Sequence, residues 1–541
     1  MNTRVDYYGD FSVNTSACPN FVESSERTNL LLGLPQKVKN FETIDELHRT
    51  DWFNSPACSP ELTDGKYAEN ANCQDPAWFR FTAGAARSIL FDLGGVCAVD
   101  AVRVGALREV SSGVWLPNRV CLLLSENGSD WQTVCELTFG SEKDNDIVRL
   151  EAELGKKYRA RYAKISFSVV THVFIDEIEL FGCRNGEYAE SIVPDSVLDA
   201  DFPDRFASTE QLGAKDVLLA YFSPDATPIS KEIFLPHVAY MEDGAIKDTL
   251  FDSYLFLPYV RFLYEGYKKR PLQKADWKRY IDAQYQQGVN MDALDAAAEE
   301  VGRALGDPDY KVSVFLSILY PVTEVDEFGE INGKNLNFSN LEDRKSALKW
   351  LIDEQLEGFF AKNYKHITLN GFYWFTEEIN YSDEQLMALL RYTTDYVREK
   401  GLITTWIPYF HATGFNDWRH LGFDIACYQP NYAFNQNVPD IRLFDAAATA
   451  KLLGMCIELE VGGTEPWHIE RIKKYYAAGA ITGYMKDAAH MYYQGGVPGV
   501  YYQAYISEDP ILHSVYNDTY RFIKGTFKAD EIKFNEEDLP Q

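Results

Sequence analysis

The stretch KVSVFLSILYPVTEVDEFGEINGKNLNFSNLEDRKSALKWLIDEQLEGFFAKNYKHITLNGFYWF (311–375) contains the repeating unit of the fold. It begins with an apolar strand (311–319), continues through a helical segment (340–363) and ends in a second apolar strand (366–375). Strands that are apolar on both faces are typical of a buried parallel sheet, which helices cover on its outer side. The stretch therefore predicts a strand–helix–strand unit.

The same alternation continues on both sides of this unit. Six more strand-like segments are DVLLAYF (216–222), YLFLPYV (254–260), LITTWIPYF (402–410), FDIACYQ (423–429), GMCIELEV (454–461) and AITGYM (480–485). Eight strands with helices between them predict a (β/α)8 TIM barrel over residues 215–528, with a strand-like insert, LPHVAYMEDG (235–244), in its first connection. A doubly wound sheet is the alternative, but it needs a glycine-rich phosphate loop where this sequence has SPDATPISKE (223–232).

The region before the barrel has a different pattern. Short β-like runs such as SILFDL (88–93), RVCLLLS (119–125) and YAKISFSVV (162–170) are separated by turn signals and show no helical period. This pattern predicts an all-β sandwich over residues 28–185. The remaining segments are interpreted as an N-terminal extension (1–27), a linker (186–214) and an acidic tail (529–541).

Composition limits the classes of partner. The chain has 541 residues and a formal net charge of −29, which argues against binding to nucleic acid or to anionic membranes and disfavours a highly anionic glycan. No apolar run is long enough for a membrane span, and the start, MNTRVDYYGDFSVN, is not a signal peptide. We therefore expect a cytoplasmic protein, or a secreted one whose leader has been removed. The nine cysteines include no CxxC pair, which argues against a zinc or thioredoxin-like site.

Acidic side chains follow the fourth and seventh predicted strands. In a TIM barrel the catalytic groups come from the carboxyl ends of the strands, and strands four and seven lie on opposite sides of the mouth. Two carboxyl groups facing each other are the apparatus of glycosidic cleavage, in which one protonates the leaving oxygen and the other attacks the anomeric carbon or activates water. The candidates are Glu377 and Glu378 on strand four and Glu458 and Glu460 on strand seven.

Alternation along each strand ranks these candidates. On strand seven it places Glu458 and Glu460 together on the inward face, and Glu460 is preferred as the nucleophile because it is nearer the mouth. On strand four, strict alternation from Asn370, Phe372 and Trp374 places Glu378 inward and Glu377 outward, but alternation is unreliable at strand ends, which often twist or bulge. Glu377 is the preferred acid/base, and Glu378 remains the alternative.

Several aromatic and polar residues near the strand ends are candidates for substrate binding, by stacking on sugar faces or by hydrogen bonding to hydroxyl groups. They are Trp374, Trp406, Tyr409, His411, Tyr428, Gln429, Asn431 and Tyr221. No metal-binding motif accompanies them, so no cofactor is expected for catalysis.

The region before the barrel resembles a discoidin (coagulation factor 5/8 type C) domain, similar to family 32 carbohydrate-binding modules. The resemblance rests on LTDG (62–65), SILFDLGG (88–95), WLPNRVCLLLSENGSDW (115–131) and VFIDEIELFG (173–182), together with AVDAVRVGA (98–106) and ARYAKISF (160–167). It implies a jelly-roll sandwich, glycan binding, and a structural calcium ion with Asp64 and Glu177 as ligands.

The barrel region resembles the bacterial family DUF4855. The matching segments are LNGFYWFTEEI (369–379), IPYFHATGFNDWRHLGFDIACYQPNYAF (407–434) and GMCIELE (454–460). The resemblance implies a barrel related to the glycoside hydrolases. The positions on strands four and seven also resemble the large clan of retaining glycoside hydrolases, in which the acid/base often follows an asparagine. Here Thr376 precedes Glu377, and this departure leaves the choice between Glu377 and Glu378 open.

The sequence as a whole favours a glycoside hydrolase, of the retaining type, that cleaves an oligo- or polysaccharide with the help of the N-terminal domain. The first alternative is a non-catalytic glycan-binding protein with a degenerate barrel. The second is a barrel enzyme of another class, either a lyase with His411 or Tyr428 as its base or a deacetylase with a His/Asp metal site. The sugar, the linkage and the oligomeric state do not follow from the sequence.

Overall fold

The computed structural model describes residues 21–35, 37–40, 61–82, 87–117, 120–128, 130–141, 143–167, 169, 172–194, 203, 205–265, 269–380, 383, 385–419 and 421–534. Most of the expected N-terminal extension, part of the expected linker and the end of the acidic tail lie outside these residues. The chain divides into two compact units, one built mainly from residues up to 203 and the other mainly from the residues that follow.

The first unit is an antiparallel β-sandwich, as the sequence predicts. Its strands are β1 (Ser24–Asn29), β2 (Lys37–Asn40), β3 (Phe79–Thr82), β4 (Arg87–Glu109), β5 (Val120–Ser125), β6 (Gln132–Leu137), β7 (Asn145–Phe167), β8 (His172–Arg184) and β9 (Glu190–Ser191). The main path of hydrogen-bonded neighbours is β1-β8-β4-β7-β5-β6. The two longest strands, β4 and β7, pair along almost their whole length. Alternate residues of these strands, such as Val102 and Val104, fill the main apolar core of the sandwich.

The second unit contains a closed barrel of eight parallel strands. In order around the barrel they are β10 (Asp216–Phe222), β13 (Ser253–Pro258), β14 (Val312–Ile318), β17 (Ile367–Trp374), β18 (Ile403–Trp406), β19 (Ile425–Tyr428), β20 (Cys456–Glu460) and β21 (His490–Tyr493). The strand-like insert in the first connection forms a hairpin of β11 (Ala239–Glu242) and β12 (Ala245–Thr249), and a second hairpin joins β15 (Glu330–Ile331) to β16 (Lys334–Asn335). The predicted number of strands and their order around the barrel are confirmed.

Helices connect most successive barrel strands. They span Thr209–Leu212, Lys231–Val238, Lys274–Gln284, Met291–Leu305, Leu341–Lys362, Leu386–Glu399, Ile441–Leu453, Pro466–Thr482, Tyr484–Asp487, Val500–Ile506 and Pro510–Ile523, with shorter turns of helix at Val110–Ser112, Arg261–Glu265, Phe415–Asp417 and Ala529–Glu531. The long helix after β14 begins where the Asn340 side chain accepts hydrogen bonds from two backbone N–H groups, and it ends at Asn363, which has a positive φ. Among the helices of the described residues, none is long and apolar enough to cross a membrane.

One predicted strand is wrong. The segment AITGYM (480–485) contains the end of one helix and the start of the next, and the eighth strand is β21. Tyr484 and Met485 are buried against the rest of the unit, so their apolar character reflects a buried helix. Short apolar runs do not distinguish a buried strand from a buried helix, and this ambiguity is the cause of the error.

The inward-facing residues of the barrel follow alternation on each strand. On β10 they are Val217 and Leu219, and on β21 they include Met491. On β17 the phase shifts at Asn370, because Val314 pairs with Leu369 whereas the next residue of β14 pairs with Gly371. Asn370 is therefore an extra residue in the strand, and this β-bulge determines which side chains of the following segment point into the barrel.

Candidate active site

A cavity of about 400 Å³ lies at the carboxyl ends of the barrel strands. Its lining consists of Leu219, Tyr221, Leu257, Val260, Tyr373, Glu377, Ile407, Tyr409, Gln429, Asn431, Phe434, Glu458, Glu460 and Tyr493. Three carboxyl groups therefore share one cavity, and among the residues described no lysine or arginine lines it. A site with aromatic walls and a few convergent polar groups is the usual form of a small-molecule site in this class of fold.

The alternation predicted for the seventh strand is confirmed. Cys456 faces the apolar interior of the barrel, and Glu458 and Glu460 follow it at intervals of two residues to line the cavity. Both glutamates are buried, with only 3% and 1% of their surface exposed. Strand geometry alone thus brings two carboxyl groups to the same wall, one above the other.

On the fourth strand the phase differs from strict alternation. Tyr373 and Phe375 face the barrel interior, so Glu377 follows them inward and lines the cavity. Glu378 is exposed beside this lining, where its carboxylate accepts a hydrogen bond from the Tyr409 hydroxyl at 2.8 Å. The inward position expected for Glu378 from strict alternation is therefore wrong, because the bulge at Asn370 reverses the parity of the strand.

Of the two glutamates on strand seven, Glu460 is the one whose carboxylate accepts hydrogen bonds from protein groups. Its carboxylate accepts hydrogen bonds from the Tyr475 hydroxyl and from the backbone N–H of Tyr432, the latter at 3.2 Å. Burial raises the pKa of Glu460 to about 7, and the donated hydrogen bonds oppose this rise because they favour the charged form. Glu460 therefore exchanges its proton near neutral pH.

Glu458 has a different environment on the same strand. Within the described part of the chain, no group donates a hydrogen bond to its carboxyl group, whereas Glu460 and Glu377 are both close enough to repel its negative charge. Burial and this repulsion raise the pKa of Glu458 well above its ordinary value. Of the two glutamates on this strand, Glu460 therefore has the hydrogen-bond donors that favour a charged carboxylate, and Glu458 has none among the described residues.

Glu377 faces this pair from the opposite side of the barrel. Its side chain is surrounded by protein atoms yet remains exposed to solvent at the cavity mouth. Burial raises the pKa of Glu377, a hydrogen bond with the Gln429 side chain lowers it, and Glu378 raises it again. Gln429 is itself held by a hydrogen bond from its amide to the Ile407 carbonyl oxygen at 3.1 Å. The site thus combines a solvent-accessible carboxyl group with two that are enclosed.

Two buried tryptophans fix the residue before Glu377. The Trp374 indole donates to the Thr376 hydroxyl at 2.6 Å, and the Trp406 indole donates to the Thr376 carbonyl oxygen at 2.7 Å. Both tryptophans are fully buried, at 1% and 0% exposure. The expectation that these rings stack on a sugar is therefore corrected: neither ring has a free face, and both hold the segment that carries Glu377.

The other predicted substrate-binding residues divide into two groups. Tyr221, Tyr409, Gln429 and Asn431 line the cavity. Tyr428 is fully buried outside the lining, and its hydroxyl oxygen accepts a hydrogen bond from the backbone N–H of His411 at 3.0 Å. The His411 ring stacks on Phe410, so these two residues shape the loop after strand five and do not line the cavity. Neither residue lines this cavity, and their predicted contact with substrate stays a prediction.

Sequence reasoning missed three aromatic residues of the cavity wall, Tyr373, Phe434 and Tyr493. Tyr493 is the inward residue at the end of the true eighth strand, and it was hidden by the misplacement of that strand. Phe434 lies on the loop after strand six, its ring 5.4 Å from that of Tyr493, and 47% of its surface is exposed. No pattern in the loop sequence distinguishes Phe434 from its neighbours.

The sandwich has its own unusual carboxyl group. Glu177 accepts a hydrogen bond from the backbone N–H of Gly65 at 3.1 Å, while its other oxygen is buried without a partner among the described residues. Burial raises the pKa of Glu177 to about 8, and Asp64 contributes to the rise. A hard cation takes carboxylate and carbonyl oxygens, so the Asp64 and Glu177 side chains fit such an ion. Asp64 is paired with Lys66 at 2.7 Å, and no group of three His, Cys, Asp or Glu side chains within the described ranges is arranged to hold a metal.

Comparison with solved structures gives low similarities that cover less than a third of this chain. A chain described as "CpGH89CBM32-6 produced by Clostridium perfringens" is 17% identical, with a TM-score of 0.20, over 29% of this chain and 99% of its own length. A Streptococcus pneumoniae fucose binding module is 14% identical, with a TM-score of 0.21, over 29% of this chain and 98% of its own. A mutant GH29 fucosidase from Ruminococcus gnavus, in complex with fucose, is 18% identical, with a TM-score of 0.20, over 30% of this chain and 28% of its own.

No ligand or activity is carried over from structures of such low similarity. No curated protein matches the chain. The model of one protein family, described as "Domain of unknown function (DUF4855)", matches residues 216–521, which begins at the first residue of β10 and continues beyond the last barrel strand. This match covers more than half of the 541 residues, and the chain therefore belongs to the DUF4855 family.

Proposed function

We propose that the second unit is a (β/α)8 glycoside hydrolase and that Glu377 and Glu460 are its catalytic carboxyl groups. The observation that carries the proposal is that these two residues, from opposite strands, line one cavity that no lysine or arginine of the described residues enters. Carboxyl groups of structural importance are commonly neutralised by a cation, whereas a pair with raised pKa values in a cavity suits acid/base chemistry.

The proposed reaction gives each of the two carboxyl groups one role. Glu377, in its acid form, donates its proton to the glycosidic oxygen as the bond between that oxygen and the anomeric carbon breaks. Glu460, as a carboxylate, attacks the anomeric carbon to form a glycosyl ester. Water then attacks this ester while Glu377 removes its proton, which releases the sugar and restores both groups. Net retention of the anomeric configuration follows from the two displacements.

The two glutamates of strand seven differ in how well their surroundings suit a nucleophilic carboxylate. A nucleophilic carboxylate must be ionised, and the hydrogen bonds from Tyr475 and Tyr432 stabilise the charge of Glu460. Glu458 lacks such donors within the described residues, and its neutral form avoids a second buried negative charge beside Glu460. We therefore assign the nucleophile to Glu460 and keep Glu458 as a protonated neighbour.

Aromatic side chains supply the contact surface for a sugar. The Tyr493 ring lies edge-on to that of Tyr221 at 5.8 Å and to that of Phe434 at 5.4 Å, so the three rings form one wall of the cavity. The faces of such rings match the apolar faces of pyranose sugars. Gln429 and Asn431, which also line the cavity, are the proposed hydrogen-bond partners of the sugar hydroxyl groups.

For the first unit we propose a discoidin-like jelly roll that binds a carbohydrate and so brings the barrel to its substrate. Asp64 and Glu177, with nearby backbone carbonyl groups, would hold a calcium ion of structural rather than catalytic function. When bound, the ion would neutralise the buried Glu177 carboxylate and fix the loop at Gly65. Isothermal titration of the chelator-treated protein with Ca²⁺, compared with the Glu177→Gln variant, tests this assignment.

The experiment for the catalytic assignment is a panel of natural glycans and dinitrophenyl glycosides, with product anomers determined by NMR. We expect Glu460→Gln to lose at least about a thousandfold in kcat on every substrate. Glu377→Gln should lose as much on natural glycans but much less on dinitrophenyl glycosides, whose leaving group needs no proton. Glu357→Gln, an exposed glutamate on the helix Leu341–Lys362, is the matched control.

Two results would overturn the assignment. If wild type cleaves a substrate and both variants retain its activity, the reaction occurs elsewhere. If no member of the panel is cleaved although glycans bind, the barrel is a binding domain.

A further inference from the structure

A second and larger cavity, of about 630 Å³, lies beside the catalytic one. Charged side chains dominate its lining: Arg261, Lys269, Arg270 and Arg279 are basic, and Asp225 and Asp276 are acidic. This local excess of positive charge occurs in a chain whose formal net charge is −29. Net charge reports solubility, whereas the field in a cleft depends on the groups that line it, so the two observations are compatible.

The acidic groups of this cavity are already paired. Arg270 forms two hydrogen bonds of 2.7 Å to the carboxylate of Asp276, which is buried, and Arg279 pairs with Asp225 at 2.6 Å. Within the described part of the chain Lys269 forms no ion pair. The positive charge of Lys269 is therefore left to interact with a ligand or with solvent.

The two cavities share a wall. Tyr259 lines the basic cavity, and its ring is 5.6 Å from the ring of Tyr221, which lines the catalytic cavity. The next residue, Val260, lines the catalytic cavity, and the one after it, Arg261, lines the basic one. The Tyr259 hydroxyl oxygen accepts a hydrogen bond from the backbone N–H of Val497 at 2.8 Å, which fixes the wall in place. The two cavities are therefore neighbours that are separated by the side chain of Tyr259.

The rest of the basic cavity is suited to the body of a sugar. Phe262 and Leu272 contribute apolar surface, and the Phe262 ring stacks on Tyr280 at 5.9 Å, which supports it from behind. A basic rim over an apolar floor matches a pyranose ring that carries an anionic substituent.

We propose that this basic cavity is a subsite for an anionic sugar residue, with a carboxylate or a sulfate group as the recognised substituent. The inference rests on the proposed function, because it places the residue next to the one whose glycosidic bond is cleaved. It also revises the expectation from net charge that an anionic glycan is disfavoured. Lys269 and Arg261 select the substituent, and Tyr259 separates the subsite from the catalytic carboxyl groups.

The test measures binding in the full-length Glu377→Gln variant, so that no probe is consumed. The probes are a hexagalacturonate, its carboxyl-reduced neutral form and a sulfated carrageenan hexasaccharide, titrated by calorimetry at two salt concentrations. Lys269→Gln and Arg261→Gln are the subsite variants. Lys278→Gln removes the same charge from the nearby helix Lys274–Gln284, outside the cavity lining, and is the matched control.

We expect at least one anionic probe to bind about tenfold more tightly than the neutral form, which is the effect of one charge-assisted hydrogen bond. This preference should disappear in Lys269→Gln, persist in Lys278→Gln and weaken with added salt. The probe that shows it identifies carboxylate or sulfate as the substituent. Arg261→Gln should lower the preference in the same direction, which keeps the test informative if Lys269→Gln unfolds.

Equal binding of neutral and anionic probes, or equal behaviour of Lys269→Gln and Lys278→Gln, would overturn the subsite. Failure of the subsite proposal can be distinguished from failure of the proposed function. If wild type hydrolyses neutral glycans without any anionic preference, only the subsite is wrong. If the anionic preference depends on Lys269 but wild type hydrolyses no glycan, only the hydrolase assignment is wrong.

Discussion

Buried acidic side chains occur in both units of the molecule, but those that line the barrel cavity differ from the others in having no cationic partner among the described residues. In the sandwich, Asp176 is fully buried and pairs with Arg149, and Glu179 pairs with Arg103 at 2.9 Å. In the barrel, Glu458 and Glu460 are as deeply buried, and no lysine or arginine of the described residues lines their cavity. A buried carboxyl group without a cationic partner costs stability, and its position beside a cavity agrees with the proposed chemical role.

Glu177 is the exception within the sandwich. It is buried, and the pKa of its carboxyl group is raised to about 8, as in the barrel, yet it does not line the catalytic cavity. Beside the acids that pair with arginine, we therefore propose two other roles for a buried acid: Glu177 as a cation ligand, and the glutamates of the barrel cavity as groups that exchange protons with a substrate.

The largest expected effects distinguish a buried acid that pairs with arginine from one that lines the cavity. Substitution of the first should lower stability, and substitution of the second should lower activity. Asp176→Asn should destabilise the sandwich by about 2 kcal/mol, because it leaves a partly buried arginine without its partner, while leaving kcat on soluble substrates unchanged. Glu460→Gln should do the opposite, with kcat reduced at least about a thousandfold and the fold intact. Chemical denaturation and steady-state kinetics on the two variants measure both quantities. A loss of kcat in Asp176→Asn that matches that of Glu460→Gln would remove the distinction.

The next expected effect is on the pH dependence of stability. The pKa of Glu460 is raised to about 7 in the folded state, above the value of an unfolded chain, so the folded barrel binds the proton more tightly. This stabilisation is complete below about pH 4 and is lost as the pH rises to about 7. Glu460→Gln should therefore gain stability relative to wild type between pH 5 and pH 8.

Urea denaturation at pH 5 and at pH 8 measures the difference in free energy of unfolding between Glu460→Gln and wild type, with Glu357→Gln as the control. A constant difference between Glu460→Gln and wild type across this range would show that Glu460 is not protonated in the folded state.

A smaller effect is expected from removing a hydrogen bond that holds the segment carrying Glu377. Trp374→Phe removes the indole N–H that donates to Thr376 and leaves an aromatic ring in the core. Because misplacement of a catalytic group lowers the rate of the chemical step, kcat should fall about tenfold while KM stays the same. Trp350→Phe removes an equivalent indole hydrogen bond, to Glu354 at 3.1 Å, outside the cavity. Equal kinetics for the two variants would show that Thr376 has no influence on Glu377.

The smallest effect is expected from Glu378. Its carboxylate is exposed and accepts a hydrogen bond from Tyr409, so Glu378→Gln should change kcat by less than about threefold. The same kinetic assay on a natural glycan measures this change beside Glu377→Gln. If Glu378→Gln is the more damaging variant, the acid/base role belongs to Glu378.

The sequence predicts the barrel well because its strands are apolar on both faces and recur in order. It predicts the wall of Glu458 and Glu460 for the same reason, since alternation on β20 is regular. It fails at β17, where the bulge at Asn370 changes the parity of the strand without a sequence signal. It also misplaces Trp374 and Trp406, because a tryptophan near a strand end looks the same whether its ring faces a cavity or the core.

The most direct test of the catalytic assignment is the site of covalent attachment. The dinitrophenyl 2-deoxy-2-fluoro glycoside of the sugar cleaved in the panel traps the glycosyl ester of a retaining enzyme. Mass spectrometry should show one added fluoroglycosyl group per chain, on Glu460 after fragmentation of the labelled peptide, and no addition to Glu460→Gln. Attachment to Glu458 or to a residue outside the cavity, or rapid hydrolysis without any attachment, would contradict the account.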